Sequence, residues 1–156
     1  MAVVDFNDVF TSTVPAPKLF KAWFIDCDTL LPKIAPEHVK KIDVEGNGGP
    51  GSIKCIHFGD AVPVKLVKFK IDALDESNLT YADTVIEGGE LSIADKILKV
   101  THEVKIESSP EGGCKSTSCV KFYLKEGTTL TEDEVKESKE GALGLLKAVE
   151  AHVLAN

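Results

Sequence analysis

Long apolar runs are missing from this chain of 156 residues: none exceeds a few residues, and the opening Met1-Ala2-Val3-Val4-Asp5 has neither a basic segment nor an apolar stretch behind it. A membrane-spanning helix needs about 20 consecutive apolar residues and a secretory signal about 7–15. Neither is expected, and the expected compartment is the cytoplasm. The four cysteines, Cys27, Cys55, Cys114 and Cys119, include no C-x-x-C pair; without secretion they are expected to be reduced thiols, and no metal or other cofactor is expected. Excess basic charge is lacking too. Eighteen bases stand against 25 acids, a net charge of −7, and the bases are interleaved with acids, so the footprint of a nucleic-acid binder is absent. Asn78-Leu79-Thr80 has the letters of a glycosylation sequon, but a cytosolic chain does not meet the transferase.

No repeat, linker or low-complexity segment interrupts the sequence. Apolar residues make up 43% of it and the mean hydropathy is zero, as in an ordinary soluble globule. Residues 1–156 suit one domain that buries roughly two thirds of its unfolded surface.

Glycine is concentrated in Glu45-Gly46-Asn47-Gly48-Gly49-Pro50-Gly51. His38 to Val44 and Ser52 to Phe58 read as strands on either side of it, so the loop joins strand to strand. Gly46, Gly48 and Gly51 satisfy G-x-G-x-x-G, yet that fingerprint works only where a helix N-terminus follows to hold the pyrophosphate. A phosphate loop of the Walker type fails as well, because Ser52-Ile53 stands where Lys-Ser/Thr is required. The loop is expected to be a glycine-permitted hairpin with positive φ at one or more positions.

Residues 3 to 13 read as a first strand ending at Pro15 and Pro17. Pro17 suits an early helix position, with Leu19, Phe20, Trp23 and Phe24 as the apolar face of a short helix. Asp26 is expected to cap a second, carrying Leu30 and Leu31 and ending near Pro36. Six strands are predicted between 38 and 125, separated at the glycine loop, Gly59-Asp60, Asp75-Glu76-Ser77-Asn78, Glu87-Gly88-Gly89 and Ser108 to Gly113. Short connections make them an antiparallel meander. Thr131-Glu132-Asp133-Glu134 has the spacing of a capping box, and Val135, Ala142, Leu145, Leu146, Val149 and Val153 recur at helical intervals nearly to Asn156. The fold class is α+β: a seven-stranded curved antiparallel sheet gripping a long C-terminal helix, with two short helices at one end.

Several segments occur together in a known order and spacing: Glu45 to Gly51, Val14-Pro15-Ala16-Pro17-Lys18-Leu19-Phe20-Lys21-Ala22, Leu31-Pro32-Lys33-Ile34-Ala35-Pro36, Val85-Ile86-Glu87-Gly88-Gly89 and Leu146-Lys147-Ala148-Val149-Glu150. Across essentially its whole length the chain resembles the major birch pollen allergen family, the class-ten pathogenesis-related proteins of plants. The resemblance implies the helix-grip fold, in which sheet and helix enclose a hydrophobic cavity open to solvent. It also implies that Lys54, Ile56 and Phe58 point inward. Strand parity then places inward Val67, Phe69 and Ile71; Tyr81, Asp83 and Val85; Leu98, Val100, His102, Val104 and Ile106; and Ser116, Ser118, Val120 and Phe122. Cys55, Cys119 and Tyr123 fall outside. Lys139, Ala142, Leu143 and Leu146 on the helix complete the expected ligand-lining set, with the glycine loop shaping an entrance. By pattern alone the same residues could equally fill a core; Gly141 and Gly144 favour open space, since each costs about 1 kcal/mol against alanine in a helix.

Asp83 stands where the family usually carries tyrosine. A carboxylate on an apolar face must be paired, hydrated or protonated. His102 shares its parity on the adjacent strand, which leaves three arrangements: direct contact, a shared water, or a bulge that exposes Asp83. No serine or cysteine is placed as a nucleophile beside them. Ribonuclease activity has been ascribed to the family, and Lys54 and Glu150 match two of its four residues. Leu98 replaces the strand glutamate and His152 the tyrosine, so acid–base cleavage lacks half its groups. The function implied is binding of amphipathic flavonoid-, cytokinin- or steroid-like metabolites for storage, transport or signalling in defence, as a monomer or weak dimer. The alternatives are an enzyme, ribonuclease-like or condensing like the related norcoclaurine synthases, and a ligand-dependent receptor acting on a protein partner such as a phosphatase.

Overall fold

The computed structural model describes residues 2–156, apart from the side chains of residues 137 and 138. Seven strands are found: β1 Ala2–Ser12, β2 Val39–Glu45, β3 Ile53–Phe58, β4 Leu66–Asp75, β5 Thr80–Gly88, β6 Ile97–Ser108 and β7 Cys114–Leu124. They form one antiparallel sheet in the order β1-β7-β6-β5-β4-β3-β2. The six later strands thus run as the expected meander, and β1 joins beside β7 to complete the sheet. Extra residues in several ladders, between Val39 and Lys41, at Asp72 opposite Ala82–Asp83, at Ile86 opposite Lys68–Phe69 and between Ile97 and Lys99, bend the strands and curve the sheet.

The helices hold the concave side. α1 spans Ala16–Phe20, with Pro17 in the first turn as predicted, and runs into a wider π turn over Lys21–Ile25 closed by Asp26 N–H donating to the Lys21 carbonyl at 2.8 Å. α2 follows at Cys27–Ile34 and stops at Ala35, before Pro36. Asp26 does occupy the N-cap position, but its carboxylate makes no cap hydrogen bond; it accepts from Lys21 Nζ at 3.1 Å, an ion pair that the π turn brings within reach. α3 spans Glu132–Ala155. At its start Glu134 Oε1 accepts from Thr131 N–H at 3.1 Å and from Lys96 Nζ at 2.8 Å, which ties the helix N-terminus to the β5–β6 connection.

Four inner-face rows can be read across the sheet. Lys54, Phe69, Val85, Val100, Phe122 and Val4 form one; Ile71, Asp83, His102, Val120 and Phe6 the next; Tyr81, Val104, Ser118 and Asp8 the third; Ile106, Ser116 and Phe10 the last. Leu98 does not belong. It is the extra residue of the β6 bulge and 52% exposed, while Ile97 takes the buried place. Parity counted back from Val100 crosses that bulge and comes out one residue wrong. Val135 of α3 packs with Phe6, Val85, Val100 and Phe122, and Val149 with Ala22, Leu31 and Val39.

Candidate functional site

The inner face combines apolar rows with one continuous polar chain. Asp83 on β5 lies directly opposite His102 on β6, and His102 Nδ1 meets Asp83 Oδ1 at 2.6 Å. Of the three arrangements the sequence allows, direct contact is the one formed. Tyr81, two residues before Asp83 and therefore on the same face, donates its hydroxyl to Asp83 Oδ2 at 2.6 Å; its ring is stacked on Phe24 with centroids 4.1 Å apart. The other ring nitrogen, His102 Nε2, contacts Glu90 Oε2.

Glu90 comes from a 3₁₀ turn, Gly89–Ser92, that follows β5. Two glycines make its return possible. Gly88 has φ +69° and Gly89 φ +50°, and a Cβ on Gly88 would stand 2.2 Å from the Leu66 carbonyl oxygen. The backbone therefore turns tightly over β4 and carries Glu90 inward, with Leu91 and Ile93 packing on the core beside it.

Electrostatics follow from the geometry. A carboxylate oxygen can only accept, so an imidazole that meets carboxylates at both nitrogens carries a hydrogen on each and is an imidazolium. Burial by itself pushes His102 down, but the Glu90 charge and the two hydrogen bonds outweigh it and raise His102 well above 6.5. Burial likewise raises Glu90, and the imidazolium beside it more than reverses this, holding it below the ordinary carboxylate value. Tyr81 is pushed up by burial and by the Asp83 charge, so its hydroxyl stays protonated.

A second ion pair, between buried Lys54 and half-buried Asp28, lies at the β3 end. Lys54 Nζ donates to Asp28 Oδ1 at 2.7 Å and stands 3.8 Å from Cys27 Sγ. Burial pushes the Cys27 thiol up to about 12, with Lys54 pulling only partly the other way. A recess of about 330 Å³ opens over this pair, between Phe24, Ile25 and Asp28 on one side and Asn47, Gly48 and Gly49 of the glycine loop on the other. The loop has positive φ at Gly46, Gly48 and Gly51. Three of its amides are already used: Gly48 N–H donates to Ser52 Oγ, Gly49 N–H to Asn47 Oδ1 and Gly51 N–H to the Ile71 carbonyl.

Residues 2–156 match the model of the Pathogenesis-related protein Bet v 1 family. The chain belongs to this family. Among its relatives, the major strawberry allergen Fra a 1.08 of Fragaria ananassa is 43% identical over 157 residues, covering all of this chain and 97% of the relative. The major pollen allergen Aln g 1 of Alnus glutinosa is also 43% identical over 157 residues, with the same coverage. The crystal structure of Ara h 8.0201 superposes with a TM-score of 0.85 at 36% identity, covering 99% of this chain and all of that one. Norcoclaurine synthase from Thalictrum flavum, solved in complex with dopamine and hydroxybenzaldehyde, shares the fold at a TM-score of 0.75 and 18% identity, covering 99% and 88% of the two chains.

On this Bet v 1 frame the expected lining residues fall into three groups. Val67, Tyr81, Asp83, Val85, Val100 and Phe122 are buried on the inner face; Ile56, Phe58, Phe69, His102 and Leu146 are half-buried. Ala142 and Leu143 are exposed, and a Cβ on Gly141 or Gly144 would meet nothing within 4 Å. Lys139 reaches across to β1, with Nζ 3.6 Å from Asp8 Oδ1 and 5.3 Å from the Phe6 ring centre. The ribonuclease set is not assembled: Lys54 is paired with Asp28, Glu150 lies near Cys114, and Leu98 points away. Glu90 escaped the sequence reading because strand parity cannot orient a side chain in a turn. The available signal was a carboxylate one residue past Gly88-Gly89, beside a strand that already needed a partner for its histidine.

Proposed function

We propose that this Bet v 1 family member binds small amphipathic, hydrophobic metabolites in a cavity between the inner face of the sheet and α3, for storage, transport or signalling. Apolar side chains on the concave face supply the affinity, at about 25 cal/mol per Å² of apolar surface removed from water. Tyr81 and Asp83 orient the ligand through hydrogen bonds, with His102, both of whose ring N–H groups are engaged, holding Asp83 in place.

The observation that carries this reading is the incomplete burial of the inner face. Ile56, Phe58, Phe69, Val104 and Val120 pack beside the core clusters, yet each is only half-buried, and Gly141, Ala142, Leu143 and Gly144 of α3 are exposed. A core filled to ordinary interior density would leave no such surface. The test is direct. The native protein should bind the dye ANS with micromolar affinity, flavonoid-like compounds should displace it, and the amide signals of Phe58 and Tyr81 should shift on binding. Dye binding only under unfolding conditions would count for a filled core.

The Tyr81–Asp83–His102–Glu90 chain favours one alternative, a condensing activity in which it carries a proton. Turnover of an amine–aldehyde pair that disappears in His102→Gln would support that reading.

A further inference from the structure

The polar chain is one positive charge short. His102 spends both ring N–H groups, one on Asp83 and one on Glu90. Two carboxylates thus share a single imidazolium, and the Tyr81 hydroxyl adds only a neutral hydrogen bond to Asp83 Oδ2. No other described lysine or histidine forms an ion pair with either carboxylate. The nearby ammonium of Lys54 is matched to Asp28 at 2.7 Å.

The surroundings cannot absorb the excess. Ile71 and Val120 flank Asp83 and His102 in their row, and Val85 and Val100 lie in the row beside them. The shared imidazolium favours the charged form of Glu90, and the net negative charge left over in such surroundings attracts a second cation. The cluster is not sealed: the side chains of His102, Glu90 and Asp83 keep 24%, 14% and 9% of their exposure. Each carboxylate oxygen also has more lone-pair capacity than its one contact uses.

We infer that the ligand of this cavity is a cation, an amphipathic amine whose ammonium binds beside His102, on the lone pairs that Asp83 and Glu90 leave free, while its ring system lies on the apolar rows. The inference rests on the ligand-binding reading above and narrows its chemical class. An ammonium has donors only and meets acceptors only, so it completes the charge balance and the hydrogen bonding together. A neutral ligand of the same shape leaves the deficit in place. An anionic one is repelled by it.

Three probes with one indole skeleton separate these cases: tryptamine, tryptophol and indole-3-acetate, titrated calorimetrically into the native protein at neutral pH. Tryptamine should bind at least tenfold more tightly than tryptophol, and indole-3-acetate most weakly. Glu90→Gln removes the excess charge and should bring tryptamine within about twofold of tryptophol; Asp83→Asn should do the same from the other side of the ring. Equal binding of amine and alcohol, or an amine preference that survives both substitutions, would overturn the inference. If the protein binds ANS but none of the indoles, the cation inference fails and the cavity reading stands. If neither dye nor indole binds, both fall.

Discussion

Replacing His102 by leucine should be the most informative single change in the molecule. It removes the cation that bridges Asp83 and Glu90, which are among the less exposed ionisable side chains of the inner face. Breaking a buried ion pair by deleting one partner costs about 3–5 kcal/mol, because the group left behind stays charged away from water. A domain of this size loses roughly 2–4 °C of Tm per kcal/mol, so the melting temperature should fall by about 10 °C at neutral pH. The pH profile carries the sign. His102 is raised from 6.5, so its contribution is complete below that value and is lost as pH climbs through the higher folded value. Glu90 is lowered from 4.5, so its contribution is complete above that value and is lost as pH falls through the lower folded one. The gap between wild type and His102→Leu should therefore be widest between 4.5 and 6.5, persist through neutral pH, and narrow in acid and in alkali. A second variant separates charge from packing. Combining His102→Leu with Tyr81→Phe, Asp83→Val and Glu90→Leu replaces the whole chain with apolar groups, which is often neutral or stabilising by about 1–4 kcal/mol. Urea denaturation followed by circular dichroism, repeated across pH, reads both variants. A loss below about 1 kcal/mol for His102→Leu, or a gap that does not change with pH, would refute the argument.

Gly88→Ala should destabilise by more than about 1 kcal/mol, since the new Cβ meets the Leu66 carbonyl at 2.2 Å in a positive-φ conformation; Gly48→Ala, whose Cβ meets nothing, should cost less, and chemical denaturation ranks the two. Lys54→Met should lower stability by roughly 1–3 kcal/mol through loss of the Asp28 pair, the exposed edge of Asp28 limiting the damage. Thiol labelling of the native protein should reach Cys55 and Cys119 well before Cys27 and Cys114, because the Cys27 thiol is pushed up to about 12 and Cys114 is buried; early modification of Cys27 would show that the environment assigned to it is wrong. ATP at physiological salt should leave the amide signals of Gly46, Gly48, Gly49 and Gly51 unmoved, and saturable shifts there would restore a nucleotide site.

What could be read from the sequence followed periodicity, and what could not followed departures from it. The meander and the long C-terminal helix announce themselves through alternation, turn residues and three- and four-residue spacing. The inner face follows from parity wherever a strand stays regular: Tyr81, Asp83 and Val85 fall inward as expected, and the Asp83–His102 pairing rests on two such strands in register. Leu98 fails at a bulge, where one extra residue reverses the count. Asp26 fails differently, because a residue at the N-cap position has a competing partner when the preceding turn widens and brings Lys21 alongside. Glu90 lay beyond any periodic argument: its position depends on a glycine turn passing close to β4, with Gly88 against Leu66 and Gly89 against Val67, a relation between distant segments that no local pattern encodes.

The polar chain also bears on why the site is built this way. An apolar row through Ile71, position 83, position 102 and Val120 would fold at least as stably, since burying two carboxylates and an imidazolium sets a large desolvation cost against Coulomb attraction. A pocket lined by such a row would take any ligand of suitable size, because apolar contact discriminates weakly between shapes that differ by one group. Fixed carboxylates change that. Glu90 is held on a turn that two glycines shape and that Leu91 and Ile93 pack in place, and Asp83 is held on a central strand by Tyr81. Neither depends on a ligand for its position, so the acceptors are oriented before binding and their ordering cost falls on folding. For a cationic ligand, stability given up to the charged chain would return as selectivity for ligand charge, and the Glu90→Gln variant separates the two quantities. It should reduce the preference for an ammonium over a hydroxyl by about tenfold, and it should also lose stability, because His102 gives up one of its two charged partners. A variant that lost stability alone, with the preference intact, would show the chain to be structural and its charge irrelevant to recognition.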